Sequence, residues 1–119
     1  MTGKQIAANL RRSRRSWGTR RLHSQLRETY CVLGVKAAEK GVSNLTLEWF
    51  ELDDNAKEYA DFGVETLLDI NDGAESKNAL ISELEQDYAN TRFGVERFVA
   101  YLLKMQKKGI PRKWKRDNG

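Results

Sequence analysis

Several residue types that often carry chemistry are scarce in this 119-residue chain. Cys31 is its one cysteine and His23 its one histidine, which excludes an internal disulfide and any site built from several such ligands. The one proline, Pro111, comes late and leaves the preceding residues free to form uninterrupted helices. No apolar run approaches the roughly 18 residues that a membrane-spanning helix needs. We therefore expect no membrane partner.

Recognisable catalytic signatures are missing as well. No glycine-rich strand-to-helix turn is present to hold a phosphate, and no nucleophile has a base nearby in sequence. We therefore expect a non-enzymatic protein without a cofactor or a metal ion. A lone cysteine is typical of reducing compartments, so we expect a cytoplasmic location and interpret Cys31 as a buried structural thiol. The length suits a single domain over residues 1–119, divided into a basic N-terminal segment (1–21), a helical core (22–108) and a basic tail (109–119).

Charge is distributed unevenly along the chain, and the net charge of +4 conceals this. Residues 1–27 carry eight basic residues and no acidic residue. Residues 28–103 carry sixteen acidic residues against six basic ones, and residues 104–119 carry seven basic residues against Asp117. Asymmetry of this size says more about binding partners than about the fold.

The spacing of apolar residues predicts an all-α fold, a small bundle of four to five helices with a basic N-terminal helix and a basic C-terminal arm. Gly18, Gly41 and Gly109 stand where helices are expected to stop. Gly94 indicates a break within the last helical stretch. The predicted helices cover residues 2–17, 20–40, 44–71 and 75–108, the last of them interrupted near Gly94.

The predicted helix over residues 44–71 carries two opposite stripes. Apolar residues at spacings of three and four form the first: Leu45, Trp49, Leu52, Ala56, Tyr59, Gly63, Leu67 and Ile70. Acidic residues at the same spacings form the second, which we call the acidic stripe: Glu51, Asp54, Glu58, Asp61, Glu65, Asp69 and Asp72. Residues 53–55 are good capping residues, so a break at that point is an alternative to one long helix.

The strongest functional indication is a dense group of arginines near the N-terminus. Arginine binds phosphate oxygens with a fork of donors, and neutralising phosphates releases counterions from nucleic acids. A neighbouring tryptophan can stack on an unpaired base. We therefore predict a nucleic-acid-binding or nucleoprotein-assembly protein, with DNA and RNA equally open. The predicted contact residues are Arg11, Arg12, Arg14, Arg15, Trp17, Arg20 and Arg21, joined by Lys107, Lys108, Arg112, Lys113, Trp114, Lys115 and Arg116 near the other end.

Two short segments resemble nucleic-acid-binding families. The run RRSRR at residues 11–15, followed by Trp17, resembles the arginine-rich RNA-binding helix of the lambdoid antitermination N proteins. The stretch from Gly18 to Leu26 is similar to a helix-turn-helix segment of some insertion-sequence transposases. Each resemblance implies a nucleic-acid contact through the N-terminal part of the chain, and neither covers enough of the chain to assign a family.

Other interpretations of the same charges stay open. The arginines could form a solvated face, lie on the protein's own acidic middle, or meet anionic lipid through a segment whose apolar side is thin. The acidic stripe could be the water-facing side of its helix. Alternatively, it could bind a protein partner, because a row of like charges is destabilising unless something offsets it. That partner would be a further copy of this chain or a basic host enzyme that acts on nucleic acid and is inhibited by a row of phosphate-like carboxylates.

Overall fold

The structure is a computed structural model, and it describes residues 1–52 and 56–109 of the chain. This part is mostly helical, as predicted. It holds seven α-helices and one antiparallel hairpin, where the sequence predicted four to five helices. In chain order the elements are α1 (Gly3–Arg12), β1 (His23–Ser24), β2 (Thr29–Tyr30), α2 (Val32–Glu39), α3 (Asn44–Leu52), α4 (Ala56–Asp61), α5 (Glu65–Gly73), α6 (Lys77–Asp87) and α7 (Val95–Lys108).

Helix α1 begins with a capping box and ends earlier than the sequence predicts. The Thr2 hydroxyl accepts the backbone N–H of Gln5, and the Gln5 side chain accepts the backbone N–H of Thr2. The buried residues Ile6 and Leu10 face α6, against which α1 packs. The backbone becomes extended at Ser13, so the helix does not reach Trp17. The arginines that follow Ser13 therefore lie in non-helical backbone and not on α1.

The prediction of a helix over residues 20–40 is wrong in its first half. Residues 23–30 form the hairpin instead, with His23 opposite Tyr30 and Ser24 opposite Thr29. Leu22 and Leu26 share the four-residue spacing of a helical stripe, yet Leu22 is fully buried and Leu26 is 93% exposed at the turn. The helical spacing of these two leucines is therefore coincidental. The turn between the strands could not be recognised in the sequence, because its four residues include no glycine or asparagine.

Helix α2 lies at the centre of the fold, in contact with α1, α5 and α7. This helix contains Gly34, although glycine lowers helix propensity. Close packing explains why a glycine stands here. A Cβ at this position would lie 1.7 Å from the carbonyl oxygen of Leu22. The helix therefore packs directly on the backbone that leads into the hairpin, and only glycine fits at this approach.

The long helix predicted over residues 44–71 is wrong, because the described residues form three shorter helices. Helix α4 ends at Asp61, and Gly63 just beyond it has a φ of +68°, a conformation that favours glycine. Helix α3 buries Leu47 and Phe50, whereas Leu45, which the predicted apolar stripe includes, is 44% exposed. The alternative break predicted at residues 53–55 falls outside the described residues.

The last two helices follow the sequence closely. The Ser76 hydroxyl accepts the backbone N–H of Ala79 and caps α6. The predicted break at Gly94 and stop at Gly109 are both confirmed, and Gly109 has a φ of +93°. Phe98 of α7 is fully buried, and its ring centroid lies 5.5 Å from that of Phe50. This aromatic contact joins α7 to α3.

None of the helices in the described part is long and apolar enough to cross a membrane.

The packing of α2 on the Leu22 backbone predicts the effect of a single methyl group. Gly34→Ala should lower the free energy of unfolding by about 3 kcal/mol, because the new Cβ meets backbone that can move only if the helix moves. Gly73→Ala is the matched control, since nothing lies within 4 Å of its Cβ, and it should change stability by less than about 1 kcal/mol. Urea unfolding followed by circular dichroism measures both. Equal urea midpoints for the two variants would contradict the close packing of α2 on the Leu22 backbone.

Candidate nucleic-acid interface

The predicted N-terminal contact residues lie in what we call the arginine segment, residues 11–27. It comprises the end of α1, an extended stretch and the first half of the hairpin. Its arginines are all exposed: Arg11, Arg12, Arg14, Arg15, Arg20, Arg21 and Arg27. The segment combines fully solvated side chains with a backbone that is bonded to the rest of the protein at several points.

The carboxamide of Asn71, near the end of α5, holds this backbone from inside the protein. Asn71 is fully buried, and its Oδ1 accepts the indole N–H of Trp17 at 2.8 Å and the backbone N–H of Val32 at 2.9 Å. Its Nδ2 donates to the carbonyl oxygen of Gly18 at 3.3 Å and to Oδ1 of Asp72 at 3.2 Å. One side chain therefore joins the arginine segment, the start of α2 and α5.

Further hydrogen bonds hold the same backbone between the arginines. Oδ1 of Asp72 accepts the backbone N–H of Arg20 at 2.7 Å, and Oε1 of Glu51 accepts that of Leu22 at 2.7 Å. The backbone N–H of Gly18 donates to the carbonyl oxygen of Tyr30 at 2.9 Å. Arg20 has a φ of +72°, which is uncommon for a residue with a side chain, and the bond to Asp72 supports it there. The extended stretch is therefore fixed in place.

Few of the arginine side chains have an ionic partner. Arg11 pairs with Glu85, and the guanidinium of Arg15 lies over the Tyr30 ring at 5.5 Å from its centroid. Within residues 1–52 and 56–109, the other arginines of the segment form no ion pair: Arg12, Arg14, Arg20, Arg21 and Arg27. The interpretation in which the arginines lie on the protein's own acids therefore accounts for Arg11 alone.

The free arginines gather around two concave surfaces. A shallow depression of about 390 Å³ is lined by Arg12, Arg14 and Arg15, together with Asn9, Ser13 and Glu39. A larger open cleft of about 1030 Å³, which we call the hairpin cleft, lies between the hairpin, α3 and the end of α5. Its lining consists of Trp17, Gly18, Thr19, Arg20, Arg21, His23, Ser24, Gln25, Leu26, Arg27, Thr29, Leu45, Glu48, Ala74 and Glu75.

A buried histidine lies at the wall of the hairpin cleft. His23 is 7% exposed, and its ring centroid lies 4.6 Å from that of Tyr30. Its Nδ1 is fully enclosed and has no hydrogen-bond partner. The closest carboxylate oxygen, Oε1 of Glu48, is 3.7 Å from Nδ1, which is too far for a hydrogen bond. Because Nδ1 is enclosed, Nε2 is the ring nitrogen left to meet a group in the cleft.

The other predicted contact residues have different surroundings. Trp17 is half-buried and lines the hairpin cleft, but its N–H is already bonded to Asn71. Lys107 and Lys108 are exposed at the end of α7. Gln106, beside them, bonds to the backbone N–H of Ser43 and to the Thr46 hydroxyl, so the end of α7 lies against the start of α3. The remaining predicted contacts, Arg112, Lys113, Trp114, Lys115 and Arg116, lie outside the described residues.

The acidic stripe is not one row of free carboxylates on a single helix. Glu51 and Asp72 accept backbone N–H groups of the arginine segment, and Asp61 pairs with Lys57 at 2.8 Å. Glu58 is half-buried on α4, and Glu65 and Asp69 are exposed on α5. Asp54 lies outside the described residues. The stripe is divided because α3, α4 and α5 are separate helices.

Cys31 lies between β2 and α2 and is fully enclosed, as predicted for a structural thiol. The pKa of the Cys31 thiol is raised to about 12, chiefly by burial and also by the charges of Glu51 and Asp72, although backbone hydrogen bonds act in the opposite direction. The reactive thiolate is therefore suppressed at neutral pH. In the part of the chain that the structure describes, no three histidine, cysteine or acidic side chains form a group suited to a metal ion.

The residues that organise this surface were only partly visible in the sequence. Arg27 belongs to the basic residues of the N-terminal part, but it was not among the predicted contact residues. Asn71 looked like a turn residue, and nothing near Glu48 or His23 indicated that they lie side by side. Comparisons of the chain with protein-family models, with curated proteins and with solved structures give no match. The two short resemblances therefore gain no support from a longer alignment.

The Asn71 hydrogen bonds predict a specific loss of stability. Asn71→Ala would leave the buried N–H of Val32 without its acceptor, so the free energy of unfolding should fall by about 2 to 4 kcal/mol. Amide hydrogen exchange at Gly18 should accelerate in the same variant, because its segment loses its inner attachment. Asn78→Ala on the exposed side of α6 is the control and should change stability by less than about 0.5 kcal/mol. Unfolding curves that coincide for the two variants would disprove the role of Asn71.

Proposed function

We propose that this protein binds the phosphate backbone of a nucleic acid through the arginine segment. The observation that carries the proposal is the group of five exposed guanidinium groups that have neither an ion pair nor a ring contact among the described residues. They are Arg12, Arg14, Arg20, Arg21 and Arg27. Their positive charge is available to an outside partner, and a nucleic acid offers the dense row of phosphates that such a group matches.

The fixed backbone of the segment supports this proposal. Association is weakened when flexible chain must be ordered at the interface, and the segment is already ordered by Asn71, Asp72 and Glu51. The arginine side chains still have to be ordered on binding, but the backbone that carries them does not. Guanidinium groups that an ordered backbone carries around two concave surfaces are well suited to follow a curved, charged strand.

The basic end of α7 extends the proposed surface. Gln106 bonds to Ser43, directly before α3, and Leu45 in the first turn of α3 lines the hairpin cleft. The end of α7, with the exposed Lys107 and Lys108, therefore lies against the helix that forms one side of the cleft. We include both lysines and the basic residues beyond them in the proposed interface as secondary phosphate contacts.

A membrane surface is a weaker partner for the same charges. A basic helix binds lipid by inserting its apolar face between the acyl chains. The apolar face of α1, with Ile6, Ala7 and Leu10, is buried inside the protein and is not available for insertion. Most of the arginines lie beyond α1 in an extended stretch, where no continuous apolar face accompanies them.

Charge reversal in the shallow depression tests the proposal. Arg12→Glu combined with Arg14→Glu should reduce affinity for short oligonucleotides by at least about tenfold at 100 mM salt. Each phosphate contact contributes about 0.7 to 0.9 to the slope of log K against log salt, so the slope should fall by about 1.5. Fluorescence anisotropy with single-stranded and double-stranded DNA and RNA, between about 50 and 200 mM salt, measures both quantities.

A second double variant controls for net charge. Lys4→Glu with Arg92→Glu changes the net charge equally, but both residues are exposed at the opposite end of α1. This control should keep most of the salt dependence of the wild type. The proposal fails if the two double variants bind equally well, or if the wild-type protein binds none of the four nucleic acids at the lowest salt concentration.

A further inference from the structure

We infer that the hairpin cleft receives one unpaired nucleotide of the bound strand, so that the protein prefers single-stranded to double-stranded nucleic acid. This inference rests on the proposed function and assigns a ligand to a site that phosphate contacts alone do not explain. The cleft volume of about 1030 Å³ is at the upper end of the range for sites that bind small molecules, and a nucleotide fits within it.

The lining of the cleft combines the two kinds of surface that a nucleotide requires. Arg20, Arg21 and Arg27 supply positive charge for the phosphate. Leu45, 44% exposed on α3, and the half-buried Trp17 supply apolar surface that a base can cover. Leu26 is 93% exposed at the hairpin turn, where an apolar ligand surface would remove it from water.

The pair of His23 and Glu48 favours a base whose edge is free. The enclosed Nδ1 of His23 has no hydrogen-bond partner, and Oε1 of Glu48 is 3.7 Å away. An incoming base can hydrogen-bond to Nε2 of His23 and donate an N–H to the Glu48 carboxylate. In a duplex, the Watson–Crick edges that carry these groups are already paired, whereas an unpaired base offers both donors and acceptors.

Two carboxylates, Glu48 and Glu75, line the cleft together with Arg20, Arg21 and Arg27. A carboxylate in such a site weakens phosphate binding, because it repels the phosphate backbone. Glu75 is exposed to water, whereas the side chain of Glu48 is 24% exposed and lies near His23. Contact with a base therefore explains Glu48 better than contact with a phosphate does.

The hairpin cleft and the shallow depression are connected through Tyr30. Arg15 lines the depression and lies over the Tyr30 ring, and that ring contacts His23 of the cleft. A strand that enters the cleft can therefore continue toward Arg12 and Arg14. A free nucleotide can use only the cleft.

The experiment compares two variants that each remove one negative charge. Glu48→Gln should weaken binding to a single-stranded oligonucleotide by about fivefold or more, the loss expected for one charged hydrogen bond. The same change should leave duplex binding unchanged or slightly stronger. Glu65→Gln, an exposed position on α5, is the matched control and should not weaken either ligand. Anisotropy titrations at about 100 mM salt, with a single strand and its duplex, measure all four affinities.

The outcomes separate this inference from the proposed function. If Glu48→Gln and Glu65→Gln behave alike on both ligands, the cleft inference is overturned while phosphate binding stands. If the wild type binds neither ligand at low salt, both proposals fail. A nucleoside monophosphate serves as the third ligand and should compete only at concentrations far above that of the strand. Tight binding of the free nucleotide without a preference for single strands would also overturn the inference.

A second pair of variants guards against a misfolded Glu48→Gln protein. Leu45→Glu places a negative charge in the cleft at an exposed position and should weaken single-strand binding by about tenfold. Ala100→Glu adds the same charge on the exposed side of α7 and should weaken it by no more than about twofold. Equal effects of the two substitutions would contradict the use of the cleft.

Discussion

The carboxamide of Asn71 is the point at which the arginine segment, α2 and α5 meet, and the rest of the surface depends on it. Its oxygen accepts from the Trp17 indole and the Val32 backbone, and its nitrogen donates to Gly18 and Asp72. A buried amide group is favourable only when its hydrogen bonds are satisfied. Because these partners come from three parts of the chain, the correct assembly of all three is what satisfies them.

The uneven charge distribution of the chain has a structural explanation in this arrangement. Acidic residues of the middle do meet the basic N-terminal part, but apart from the pair of Glu85 with Arg11 they accept backbone N–H groups and not guanidinium groups. Glu51 bonds to the backbone of Leu22 and Asp72 to that of Arg20. The acids thereby hold the segment in place and leave its side chains exposed. The acidic middle can therefore bind the N-terminal part of the chain while the arginine side chains stay available for a partner.

The sequence predicted best where the signals are local. The helical stretch predicted from residue 75, the break at Gly94 and the stop at Gly109 are confirmed, because glycines mark the break and the stop. The hairpin was missed because Leu22, Leu26 and Tyr30 mimic helical spacing. The packing of α2 and α3 against the segment decides which of these residues is buried. The spacing of apolar residues within one stretch of sequence does not reveal such packing.

The residues of the candidate site were likewise predictable only in part. The arginines could be identified from composition, because phosphate binding depends on charge density more than on exact geometry. The contributions of Asn71, Glu48 and His23 could not, since each residue acts through a neighbour that is distant in sequence. The continuity of the acidic stripe was overestimated, because its spacing in the sequence matches that of a single helix. Its regular spacing is real, but the chain turns between α3, α4 and α5 and divides it.

We propose that a fixed backbone presents exposed guanidinium groups to a nucleic acid. A nuclear magnetic resonance titration of isotope-labelled protein with a short single-stranded oligonucleotide tests this proposal by observing the arginine Nε–H groups together with the backbone amides. The signals of Arg12, Arg14, Arg20, Arg21 and Arg27 should shift on binding. The Trp17 indole N–H and the Val32 amide should stay protected from hydrogen exchange, because their bonds to Asn71 persist. Shifts confined to α5 and α6, or loss of that protection on binding, would contradict the proposal.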